Sequence, residues 1–257
     1  MRFLLFSKLF IFLLCSFSLG QERGFTESKP IALINTIAFE DEKTGVTKLI
    51  NANNQLYLGC CFSPCSQESH EKRKKILVDP VSDEIANLIK QLEFQNQIII
   101  LDGVKLQING HLIGYNEKLN ITNTIIPVLN EYFKTSLKPN LKLNLPEAKI
   151  AVINTNIFYD KKAGIKEYLP QIKKVEEQIK NETGKSPTEE EIINRAWRDN
   201  SQNYIDNKIA KEIQSFTNEK GFGITLDSSK KIPHELENIP LQDITNDFIS
   251  YYNRLNP

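Results

Sequence analysis

The chain repeats itself, and that constrains its fold more than any other feature. Ile31-Ala32-Leu33-Ile34-Asn35-Thr36 returns 119 residues later as Ile150-Ala151-Val152-Ile153-Asn154-Thr155. The match runs on through Phe39/Phe158, Asp41/Asp160, Lys43/Lys162 and Gly45/Gly164, with nine identities in the 16 positions from Ile31 to Val46. The far ends correspond as well. Ile85-Ala86 and Ile89 match Ile209-Ala210 and Ile213, and Leu101-Asp102 matches Leu226-Asp227. Asn120-Ile121-Thr122-Asn123 matches Asp243-Ile244-Thr245-Asn246, and the alignment continues to Asn130/Asn253. Two copies at so long a period describe a duplicated domain, not a solenoid of short repeats.

Each half reads in the same order. A short β-branched run (31–35, 150–154) is a strand by residue type and length. A variable middle leads into a helix, 81–95 in the first half and roughly 188–219 in the second. A second strand follows (98–101, 222–226). A closing helix is opened by Thr122 or Thr245, residue types preferred at helix N-caps. The fold class is therefore α+β, with tandem domains at 30–134 and 148–257. The Pro-containing polar stretch 135–147 has little periodicity and reads as a linker.

The middles differ. In the second half Ile165, Tyr168, Leu169, Ile172, Val175 and Ile179 fall at spacings of three and four, one stripe of a helix. Gly184 to Pro187 breaks it, and Ile192, Ile193, Ala196, Trp197, Tyr204, Ile205, Ile209, Ile213 and Phe216 line a second stripe. Two such helices bury their stripes only against each other, which predicts an antiparallel hairpin. The equivalent first-half span, 46–79, shows no comparable period. Residues 50–75 are expected to be mostly irregular, a degenerate arm built around a cysteine loop.

The first 20 residues have the layout of a secretory signal: Arg2 and Lys8, an apolar run from Leu9 to Phe17 too short to span a bilayer, and Ser18-Leu19-Gly20 before a cleavage at Gln21. Cys15 falls within the apolar run and leaves with the peptide. Removing Arg2 and Lys8 from 32 basic side chains leaves 30 against 32 acidic ones, a net charge of −2. That balance offers no basic face for nucleic acid, and no later segment is apolar enough to cross a membrane. Export permits a disulfide, which would join Cys65 to Cys60 or Cys61 and leave one thiol over. A metal site with His70 as a further ligand is the alternative, although the vicinal Cys60-Cys61 departs from the usual zinc spacings.

The order strand, helical hairpin, strand, closing helix resembles the Skp/OmpH-like periplasmic chaperones. The residues carrying the resemblance are Lys149 to Thr155, Leu226-Asp227, and Asp243-Ile244-Thr245 with the ending through Arg254. The second half matches over nearly all of 148–257, the first at 30–46 and 81–133. The resemblance implies a periplasmic, ATP-independent holdase whose helical arms bind unfolded outer-membrane proteins, and which self-associates through its strands. Tyr168, Ile172, Trp197 and Tyr204 are then the candidate client-contacting arm residues. Packing between the helices is the plainer use of Trp197 and Tyr204. The hairpin is shorter than the family's arms, about 20 helical residues spanning about 30 Å. An envelope structural or assembly module that kept the fold but lost client holding is the alternative reading.

No cofactor or enzymatic motif is present. His70, His111 and His234 are widely separated in sequence, and no nucleophile elbow, zincin or phosphate-loop pattern accompanies them. Asp102 and Asp227, at matching strand ends, read as architectural turn residues. Gly221-Phe222-Gly223 reads as a helix stop before a strand.

Overall fold

The computed structural model describes residues 29–61, 66–199 and 207–257, with backbone alone at 59–61, 197–199 and 207. The expected signal peptide, residues 1–20, lies outside the described residues. The first half runs β1 (Ile31–Ile34), a 3-10 turn (Thr36–Glu40), α1 (Thr47–Cys61), α2 (Gln67–Leu77), α3 (Asp79–Asn96), β2 (Ile99–Asp102), α4 (Gly103–Ile108), β3 (Leu112–Tyr115) and α5 (Thr122–Thr135). The second runs β4 (Lys149–Ile153), a 3-10 turn (Thr155–Tyr159), α6 (Leu169–Thr183), α7 (Glu189–Asp199), α8 (Asn207–Glu219), β5 (Phe222–Asp227), β6 (Leu241–Asp243) and α9 (Thr245–Leu255). The architecture is mixed α+β with two small sheets.

In each half the first strand pairs in parallel with the strand after the long helix, β1 with β2 and β4 with β5. Parallel pairing needs a long crossover, which the intervening helices supply. β4 also pairs in parallel with β6. Its first-half counterpart is a single parallel bridge between Leu33 and Asn120.

The alternation of side chains along β1 and β4 divides the interior into three cores. Ala32 and Ile34 face the first half's helices, and Ala151 and Ile153 face the second's. The opposite faces, Ile31 and Leu33 with Ile150 and Val152, meet in a third core shared with Leu101, Leu112, Ile224 and Leu226. β3 leaves its own half and pairs antiparallel with the outer edge of β5, giving the sheet order β3-β5-β4-β6. The halves are therefore one body, joined by a core and by strand hydrogen bonds. Each fully buried aliphatic side chain contributes about 1.5–3 kcal/mol. Separating the halves would forfeit much of a typical total stability of about 5–15 kcal/mol.

The halves repeat one another bond for bond. Asn35 N–H donates to Thr122 Oγ1 at 2.8 Å, and Asn154 N–H to Thr245 Oγ1 at 2.9 Å. Thr36 Oγ1 donates to Asp102 Oδ2 at 2.6 Å, and Thr155 Oγ1 to Asp227 Oδ2 at 2.9 Å. Asn130 takes the Thr47 N–H at 2.8 Å and gives to Gly45 O at 3.1 Å; Asn253 takes the Lys166 N–H at 2.9 Å and gives to Gly164 O at 3.0 Å. These bonds tie the end of the first strand to the closing helix and that helix to the turn before the arm.

Two expectations need correction, the irregular first-half middle and the threonine N-caps. The first-half middle is not irregular: α1 and α2 form a helical hairpin packed on α3. Leu49, Ala52 and Leu56 anchor α1 at spacings of three and four, but the asparagines among them dilute the stripe. α2 buries no residue and so carries no apolar period to read. Its start is capped by Ser66 Oγ, which accepts the Ser69 N–H at 3.2 Å.

The linker runs as a strap over the first half. Leu141, Leu143 and Leu145 alternate inward onto the first-half core. The Asn96 side chain holds this strap on both sides, donating to Leu141 O at 2.9 Å and accepting the Leu143 N–H at 2.7 Å. Thr122 and Thr245 are not the N-caps; Ile121 and Ile244 are. The threonine hydroxyls serve the strand ends, while Asn120 and Asp243 accept the threonine N–H groups at 3.1 and 2.9 Å. The helix expected over 188–219 is described as α7 and α8, the residues between them lying outside the described set.

Candidate functional site

Two of the four side chains expected to touch a client, Tyr168 and Ile172, are turned into the core of the second half. Ile172 is fully buried and Tyr168 is 8 % exposed, both within the second-half core. Tyr168 stacks on Tyr159 with ring centroids 4.9 Å apart. The same three-and-four spacing that suits a binding stripe here serves to seat α6 on the sheet and on α7. Trp197 belongs to α7, but only its backbone is described, and Tyr204 lies outside the described residues. Of the proposed disulfide partners, Cys60 and Cys61 end α1, with side chains undescribed, and Cys65 lies outside the described residues.

Two salt bridges brace the second hairpin. Arg195 of α7 pairs bidentately with Glu182 of α6, at 2.7 and 2.8 Å. Lys208 of α8 donates to both Glu167 oxygens at 3.0 Å, and the Tyr252 hydroxyl donates to Glu167 Oε2 at 2.5 Å. The Tyr252 hydroxyl and then Lys208 hold the Glu167 carboxyl below its ordinary range.

The first-half hairpin is the opposite case. Tyr57 and Leu58, adjacent on α1, are 64 % and 58 % exposed, and Ile76 on α2 is 73 % exposed. α2 also carries the run Lys72-Arg73-Lys74-Lys75, all exposed. Lys72 pairs with Glu68 at 2.7 Å. The result is an outward surface of apolar and cationic side chains on a hairpin anchored by the inner face of α1 and by Leu77 at the end of α2. The span lacks a long helical period in sequence, so only the four consecutive cations and the Tyr57-Leu58 pair signal this surface there.

A second feature is a groove of about 550 Å³ where β4 and β5 begin, walled by the end of α8 and by α9. Phe216, Phe222 and Ile244 form its apolar floor, and Lys149, Lys220 and Arg254 stand on its rim with Asp247. The Tyr251 ring lies 4.8 Å from that of Phe216, and Lys220 Nζ sits 5.4 Å from the Phe216 centroid. Partial burial, with Glu212 and Glu219 nearby, pushes the Tyr251 hydroxyl up from its ordinary value.

The aspartates at the matching strand ends, Asp102 and Asp227, are engaged in architecture. Asp227 is fully buried and accepts from Thr155 Oγ1 and from the Ser229 N–H at 2.9 Å. Asp102 caps α4 by accepting the Lys105 N–H at 3.1 Å. Among the described residues no group of three His, Cys, Asp or Glu side chains could hold a metal ion, and no helix is long and apolar enough to cross a membrane. No family model, curated protein or solved structure matches the chain.

Proposed function

We propose that the protein is an exported, ATP-independent holder of unfolded polypeptide, acting in the periplasm on outer-membrane proteins, with the tandem Skp/OmpH-like arrangement that the sequence resembles. The observation that carries this reading is the outward face of the first hairpin. Tyr57 and Leu58 are large, adjacent and mostly in water on a helix whose other face is already anchored. Apolar surface left out of the core in this way suits masking apolar segments of another chain, and the neighbouring cations suit acidic stretches. Neither contact needs a nucleotide or a covalent step, so the reading is non-catalytic.

The burial of Tyr168 and Ile172 favours a second reading, an envelope structural or assembly module that has kept the fold and lost client holding. A photoreactive crosslinking residue at position 57 or 58 separates the two. Capture of a urea-unfolded porin from those positions, and not from position 172, supports holding; capture from neither supports the structural module.

A further inference from the structure

The groove of the second half has a counterpart in the first, and there it is filled. Counting back from the left-handed residues that end α3 and α8, Gln97 (φ 53°) and Gly221 (φ 71°), Lys220 corresponds to Asn96 and Phe216 to Leu92. Phe222 corresponds to Ile98 and Ile244 to Ile121. In the first half Leu92, Ile98 and Ile121 belong to the core onto which Leu141, Leu143 and Leu145 pack. Asn96 fixes the backbone of that strap by accepting from Leu143 and donating to Leu141. The first-half site is thus occupied by an extended segment of the chain itself, apolar at every second position.

In the second half the same apolar floor is present without a strap among the described residues, and the rim chemistry has changed. The position that grips the strap is Lys220. Lys149 and Arg254 join it, all three exposed, and Asp247 is the acid among the lining residues, with Glu212 and Glu219 set behind Tyr251 and Lys220. Among the described residues neither Lys149 nor Arg254 forms an ion pair, and Lys220, whose Nζ lies over the Phe216 ring, pairs with its neighbour Glu219 at 3.9 Å.

We propose that this groove binds an extended segment of another polypeptide, apolar at alternate positions and carrying an acidic side chain between them. The filled counterpart argues for the extended alternating backbone, and the three cations lining the groove, two of them outside any ion pair among the described residues, argue for the anionic group. The site lies on α8, α9 and the sheet end, away from the first hairpin, so it stands whether or not that hairpin holds clients.

The probe is a fluorescein-labelled peptide amide, Leu-Glu-Leu-Asn-Leu-Phe, titrated by anisotropy against residues 21–257. Saturable binding is expected. Lys220→Glu and Arg254→Glu should each weaken it about fivefold, the scale an exposed ion pair supports, and the lysine-for-glutamate peptide amide should bind correspondingly less. Ser250→Trp, which fills the groove and leaves its charges in place, should abolish binding while the circular dichroism stays native. The two charge reversals carry the test if that variant misfolds. Absence of saturation, or binding indifferent to both charge reversals, overturns the proposal. So does a dimer that Ser250→Trp converts to a monomer, because the occupant would then be a second copy's strap.

Discussion

Thr245 Oγ1 accepts the backbone N–H of Asn154 at 2.9 Å while donating to Asp243 Oδ1 at 2.6 Å. One buried hydroxyl thus joins the end of β4 to the start of α9, and Thr122 does the same for Asn35 and Asn120. Replacing either threonine by valine keeps the shape and leaves a strand-end N–H without its partner, at a cost of about 1–3 kcal/mol. Urea unfolding of Thr122→Val and Thr245→Val should show losses of similar size, since the geometry is the same twice. A neutral result at either position would mean that water replaces the hydroxyl.

Gly45 and Gly164 are identical for a steric reason. A Cβ at Gly45 would lie 2.5 Å from Phe39 O, and one at Gly164 would lie 2.4 Å from Asp160 O. Backbone oxygens cannot give way as a side chain does, so Gly45→Ala and Gly164→Ala must open the turns that Asn130 and Asn253 clamp. Each should destabilise by about 1–3 kcal/mol, the scale of overpacking, read as a lower urea midpoint with an unchanged slope.

The strap depends on Asn96. Asn96→Ala removes both hydrogen bonds to Leu141 and Leu143, leaving three half-buried leucines to hold it. Cleavage by trypsin after Lys142 should become markedly faster than in the parent chain, while the far-ultraviolet circular dichroism is unchanged. An unchanged cleavage rate would show that the leucines hold the strap without the amide.

Acid should weaken these same turns. The Thr44 hydroxyl and then its backbone N–H hold the Asp41 carboxyl below its ordinary 3.8, and the Ala163 and then Lys162 N–H groups do so for Asp160. A carboxyl lowered in the folded state contributes stability that is present above its unfolded value and lost as pH falls through the folded one. The urea midpoint should therefore drop as pH falls below about 4, and Asp41→Asn/Asp160→Asn should flatten that drop. An identical pH profile in the double variant would remove these turns as the cause.

The repeat was legible in the sequence because most of its identities carry a bond or a steric demand. Asn35 and Asn154 cap the 3-10 turns, Thr36 and Thr155 reach Asp102 and Asp227, and Gly45 and Gly164 fit under carbonyls. α6 was equally plain, since Ile172, Val175 and Ile179 are all buried on one side. The first hairpin was not, because α2 is a solvated helix fixed by its cap and an ion pair, and periodicity sees only helices that bury a stripe. β3 was missed because a run as short as Leu112-Ile113-Gly114-Tyr115 acquires its role from β5, more than a hundred residues away. The burial of Tyr168 and Ile172 was hidden for a related reason. Spacing identifies the apolar face of a helix, but not whether that face meets the core or a partner.

Suppression of aggregation tests the central claim most directly. Residues 21–257, diluted together with a urea-unfolded outer-membrane porin and without nucleotide, should lower light scattering in proportion to their concentration. Tyr57→Ser/Leu58→Ser should lose most of that effect at unchanged stability, because both side chains are exposed and contribute little to the core. Scattering that rises as fast with the protein as without it would contradict the account.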